Sequence, residues 1–166
     1  LIDLDDSWGE EIFPFPISFA SDIHYSGLAE VRFPPEGWRD PKHPNFWSYT
    51  YAWDIHTDKK IDSKELSDNL VKYFNGLNGA KDDITKTHAS IIKTNQENST
   101  SFFTGTVEIY DRFATHQRIT LNVLIESYYC PKKHRATILF KFSPKELSHT
   151  TWKTLKAIRL KKTPCK

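Results

Sequence analysis

Residues 45–58 read NFWSYTYAWDIHTD. On an extended chain, Trp47, Tyr49, Tyr51, Trp53 and Ile55 fall on one side, and Ser48, Thr50, Ala52, Asp54 and His56 on the other. The aromatic row is either an exposed platform or the core face of a central strand over about 46–56. Aromatic rows of period two line cores more often than ligand sites, so the core reading is preferred and the polar side opens onto a cleft or onto water. The next residues, IDSKELSDNLVKYFNGLNG (61–79), predict a helix to cover that face. Asp62 is a natural N-cap and Glu65, three residues on, completes a capping box. Leu66, Leu70, Phe74 and Leu77 recur at helical spacing, and Gly76 and Gly79 are expected to end the helix.

Before the stretch, LAEVRF (28–33) reads as a strand. PPEGWRDPKHP (34–44), with four prolines and a glycine, must be a loop in which Trp38 is an anchor or an exposed contact. Residues 1–16 form an extended arm, because Pro14 and Pro16 forbid a helix. The second half predicts strands at 88–94, 100–110, 117–129 and 134–142, with short loops that favour sequential antiparallel pairing. SPKE (143–146) is a second capping box. Either the helix begins there, with Leu147, Thr151, Leu155 and Ile158 facing the sheet, or the segment opens as a loop and the helix starts near His149. The expected fold is one α+β domain over 1–166. It has a single twisted antiparallel sheet of five to six strands, in the order β-β-α-β-β-β-β-α, with two helices packed on it. A cystatin-like or hot-dog-like sheet and a sandwich like that of the Mog1/PsbP group satisfy the same order.

With 14% aromatic residues among 166, the core is expected to be aromatic and β-rich. The net charge of +2 is too small to argue for nucleic acid. The acidic start (Asp3, Asp5, Asp6, Glu10, Glu11) and basic tail (Lys153, Lys156, Arg159, Lys161, Lys162, Lys166) read as solvated termini. No methionine occurs, so the chain is expected to start inside a longer precursor or to have been trimmed. LIDLDDSWGEE lacks the basic start and apolar run of a signal peptide, and no apolar stretch is long enough to span a membrane. Cys130 and Cys165 are either unrelated thiols or, in a secreted protein, one disulfide that pins a tail at 159–166. That bond would bring KKHR (132–135) beside RLKK (159–162) as a basic patch.

Catalytic signatures are sparse. None of the seven histidines lies in a zinc spacing, no serine sits in a nucleophile elbow, and the glycines are scattered. The tripeptide DIH occurs twice, so Asp22 with His24 and Asp54 with His56 could converge across a sheet. That pattern supports an alternative reading as a hydrolase-like enzyme. A third reading is a structural subunit of a cell-envelope assembly. The preferred reading is a non-catalytic binding or interaction domain with no metal and no cofactor. Its partner would be a protein or small ligand, and Trp38, Trp47, Tyr49, Tyr51 and Trp53 are the candidate ligand contacts in an aromatic-lined cleft or sheet face.

FPFPISFASDIHYSGLAEVRFPPEGWRDPKHPNFWSYTYAWDI (13–55) and FKFSPKEL (140–147), with the following Trp152 and Cys165, carry a resemblance. They are similar to a family of uncharacterised secreted bacterial domains with a Pro-rich aromatic opening, a W-x-[DK]-P loop, an FWSY strand and a tail cysteine. The resemblance implies no activity. It implies export, hence a secreted or periplasmic location with the signal peptide removed, and it favours the disulfide.

Overall fold

The computed structural model describes residues 1–165. The chain forms one antiparallel sheet of seven strands with two helices. The strands are β1 (Gly9–Phe15), β2 (Gly27–Phe33), β3 (Tyr49–His56), β4 (His88–Glu97), β5 (Thr100–Tyr110), β6 (Arg118–Cys130) and β7 (Arg135–Ser143). The helices are α1 (Ser63–Asn78), between β3 and β4, and α2 (Thr151–Ala157), after β7. Seven strands replace the five to six expected, because part of the N-terminal arm pairs with β2 as an edge strand. Pro14 is tolerated there because an edge strand leaves one side of its backbone unpaired.

The spatial order is β1-β2-β3-β7-β6-β5-β4. β1, β2 and β3 form one meander. The chain then crosses the sheet through α1 to the far edge, and β4 to β7 form a second meander that returns to pair with β3. The aromatic stretch thus occupies the middle of the sheet, where Tyr51 lies opposite Val31 on one side and Phe140 on the other.

The two faces of β3 have different covers. Tyr49, Tyr51, Trp53 and Ile55 are buried in the larger core with Leu66, Leu70, Tyr73 and Phe74 of α1. Ala52, on the opposite face, belongs to a smaller core with Leu139, Trp152, Leu155, Ile158 and Ile2. The helices therefore lie on opposite faces of the sheet. The polar side is closed at Ser48, Thr50 and Ala52 and opens at Asp54 and His56. The Ser48 and Ser143 hydroxyls share a hydrogen bond of 2.7 Å, and Thr50 Oγ1 donates to the Phe140 carbonyl at 2.9 Å. Ser48, Thr50 and Ser143 are all buried, and buried hydroxyls need such partners.

Asp62 caps α1, its carboxylate accepting from the Glu65 N–H at 2.8 Å. Gly79 closes the helix in the left-handed conformation at φ 60°. Gly76 lies inside the helix rather than at its end. A Cβ there would come within 1.8 Å of the Phe19 carbonyl oxygen, so the glycine allows the β1–β2 connection to approach the helix backbone. The capping box at 143–146 starts no helix, and α2 begins only at Thr151. The Lys145 carbonyl accepts instead from the Trp152 indole N–H at 2.8 Å and from the Asn122 side chain at 3.0 Å. Leu147 is exposed, whereas Thr151, Leu155 and Ile158 are buried.

Residues at the two ends of the chain pair with each other. Ile2 bridges Leu160, and the Asp3 N–H donates to the Arg159 carbonyl at 2.8 Å. Cys130 and Cys165 form a disulfide across a separation of 35 residues. No helix is long and apolar enough to cross a membrane among the described residues.

Candidate functional site

A cleft of about 540 Å³ lies on the α1 face. Its origin is topological. α1 packs toward β4 and β5, so the aromatic face of β1, β2 and the start of β3 extends beyond the helix. Loops, rather than a second helix, roof that part of the sheet. Val31, Phe33 and Tyr49 form the floor, and Tyr73 and Leu77 of α1 form the inner wall.

One outer wall comes from the proline-rich loop at 34–48. Trp38 stacks on Phe33 with ring centroids 4.1 Å apart, and the Arg39 guanidinium lies 4.1 Å over the Trp38 ring. The Trp47 N–H donates to the Trp38 carbonyl at 3.0 Å and closes the loop. Gly37, at φ 76°, makes the turn, and a Cβ there would fall 2.0 Å from the His43 ring. Trp47 itself sits at φ 50°, an uncommon conformation for a bulky residue. That geometry takes Trp47 out of the strand, which starts at Tyr49 rather than near 46. Its half-buried ring contacts Tyr49, Phe74 and Phe113 at centroid distances of 6.3, 6.4 and 6.2 Å.

The opposite wall includes Phe113, from the β5–β6 connection. Phe113 is 56% exposed. Asp111 holds its loop. The buried Asp111 carboxylate accepts from the N–H groups of Phe113, Ala114 and Thr115 at 3.0, 3.3 and 2.8 Å, and from the Thr115 hydroxyl at 2.8 Å. Burial opposes ionisation of this carboxyl, but the donors from Thr115, Phe113 and Ala114 outweigh it and lower the pKa below the usual 3.8. The sign of the pH effect follows. A depressed folded pKa contributes stability above the unfolded value, and this is lost as pH falls through the folded value. Asp111→Asn is expected to lose stability at neutral pH. The gap from wild type should narrow below about pH 4, measured as denaturation midpoints over an acid series. A gap that stays constant with pH would mean that the carboxylate is not held by these donors.

The cleft carries few polar groups. Glu11 and Arg39 are exposed at its rim. The Tyr49 hydroxyl is buried and has no hydrogen-bond partner among the described residues. Burial pushes its pKa well above 10, so it stays a neutral phenol.

Trp38, Trp47 and Tyr49 thus line the cleft, whereas Tyr51 and Trp53 are fully buried in the core. Asp54 is engaged by Arg135 on the α2 side, with Nε and Nη2 donating to its two carboxylate oxygens at 2.6 and 2.7 Å. His56 ends β3, exposed, and Asp22 and His24 are exposed in the connection before β2. No hydrogen bond or ion pair joins Asp22, His24 or His56 to Asp54 among the described residues. No group of three or more His, Cys, Asp or Glu side chains there is arranged to hold a metal ion. No family model, curated protein or solved structure matches the chain. Sequence reasoning missed Phe33, Arg39, Phe113 and Asp111 as parts of the cleft. A large aromatic in the polar segment DRFATH (111–116) was the available signal for Phe113.

Proposed function

We propose that the chain is a non-catalytic extracytoplasmic binding domain whose cleft takes a small ligand with a flat, apolar body. The observation that carries this reading is the 540 Å³ cleft lined by the Trp38, Trp47 and Phe113 rings over an aromatic floor. Ligand sites are typically concave and mostly apolar, with a few convergent polar groups that fix orientation. Contact with the Trp47 and Phe113 rings and the edge of Trp38 supplies most of the affinity, and the rim groups of Glu11 and Arg39 supply orientation. The disulfide supports an oxidising location, in line with the export that the pattern resemblance implies.

The neutral fluorophore N-phenyl-1-naphthylamine tests the reading, because it carries no charge to draw it to basic surfaces. A saturable, one-to-one rise in its emission is expected. Phe113→Ala and Trp47→Ala should each weaken binding by about tenfold, as expected for losing about 1.4 kcal/mol of aromatic contact. Ile84→Ala, at an exposed position away from the cleft, should leave binding unchanged. Phe113 is exposed, so its truncation reports on the site without a large burden on folding. Absence of binding, or equal affinity in Phe113→Ala and wild type, would overturn the proposal.

A further inference from the structure

A second concavity of about 400 Å³ lies on the α2 face, distinct from the aromatic cleft. It is lined by Asp54, Lys133, Arg135, Thr137, Lys161 and Lys162, among others. One wall is the start of β7 with the residues before it, and the other is the chain after α2. The disulfide between Cys130 and Cys165 holds the two walls together, with their Cα atoms 5.3 Å apart. The bond thereby gathers in one groove cations from stretches more than twenty residues apart.

Among the described residues, Lys133, Arg135, Lys161 and Lys162 line the groove beside one side-chain carboxylate, that of Asp54. Its one carboxylate is already committed. Asp54 accepts from Nε and Nη2 of Arg135 and from Thr137 Oγ1 at 3.4 Å, which fixes the guanidinium. A guanidinium has five N–H donors, and Nη1 of Arg135 has no hydrogen-bond partner among the described residues. Lys161 and Lys162 are exposed and form no side-chain ion pair there. An oriented guanidinium beside mobile ammonium groups suits a compact oxyanion with several acceptor oxygens.

We infer that this groove is a second binding site, for a phosphate group carrying at least two negative charges. The phosphate can belong to a free phosphorylated metabolite or to a lipid headgroup, and the chemistry recognised is the same.

The test uses the oxidised chain at low ionic strength, where surface charges are least screened. Calorimetric titration with inorganic pyrophosphate is one arm. Co-sedimentation with phosphatidic acid vesicles, whose phosphomonoester headgroup can carry two charges, against phosphatidylcholine vesicles, is the other. Saturable binding in either arm is expected, weakened about tenfold in the double variant Lys161→Ala/Lys162→Ala. A smaller loss is expected in Cys165→Ser, which releases the tail beyond Lys161 while the Lys161 N–H keeps its bond to the Leu1 carbonyl. Lys153→Ala/Lys156→Ala, which removes equal charge from α2 outside the groove, should retain binding. Pyrophosphate binding points to a free phosphate ligand, and vesicle binding alone points to a headgroup. Either supports the site. No binding in both arms, or equal weakening by the α2 pair, would overturn it.

Discussion

Trp53→Ala is expected to destabilise the protein by about 4 kcal/mol, in the range for removing a fully enclosed indole. The Trp53 side chain has no solvent exposure. It packs against Phe140, Phe15, Tyr51 and Tyr25 at centroid distances of 4.9, 5.4, 5.7 and 6.3 Å. These neighbours belong to four different segments, so no single shift of the backbone can close the cavity left behind. Trp53→Phe should behave differently. The indole N–H has no hydrogen-bond partner among the described residues, and its removal offsets part of the lost packing. The phenylalanine variant should therefore lose less than about 1.5 kcal/mol. Urea denaturation midpoints measure both. A loss below about 1 kcal/mol in Trp53→Ala would be a surface-like response and would contradict its place in the core.

Opening the disulfide is expected to cost about 4 kcal/mol in the chain-entropy model. The bond closes a loop over a separation of 35 residues, and that loop contains β7 and α2. Without it, the tail retains the Ile2–Leu160 bridge and the backbone bond from Lys161 to Leu1. Trp152 and Leu155 still anchor α2. The fold should therefore persist with lower stability rather than be lost. Denaturation of the oxidised protein beside the double variant Cys130→Ser/Cys165→Ser measures the difference. Equal midpoints would show that the tail needs no tether.

The elements that could be read from the sequence are those in which local pattern and tertiary packing agree. The alternation from Tyr49 to Ile55 maps onto one buried face because β3 is central. Asp62 and Gly79 bound α1 through their own capping bonds, which need no distant partner. Two cysteines allow only one intramolecular pair. The misread positions are those where tertiary contacts override the local signal. Trp47 fits the alternation by residue type, but its left-handed backbone takes it out of the strand. Gly76 looks like a helix stop and instead serves a backbone approach from Phe19. At 143–149 the sequence leaves two readings open, and the loop with a later helix holds: the Ser143 hydroxyl accepts from the Lys145 N–H at 3.1 Å while bonded to Ser48, and α2 starts at Thr151. The cleft was only partly legible. Its aromatic residues could be picked out in the 34–48 loop and in β3. Their union with Phe113 depends on where β5 and β6 lie in the sheet, which no local pattern encodes.

The central claim is that the space between Trp38, Trp47 and Phe113 is a binding site. The five tryptophans make a direct test, because each indole N–H gives its own amide-region NMR signal. Titration with N-phenyl-1-naphthylamine should move the Trp38 and Trp47 indole signals together and to saturation. Trp53, sealed in the core, and Trp8 and Trp152, on the α2 face, should stay in place. Saturating shifts confined to Trp8 and Trp152, or no indole shift at all, would contradict the account.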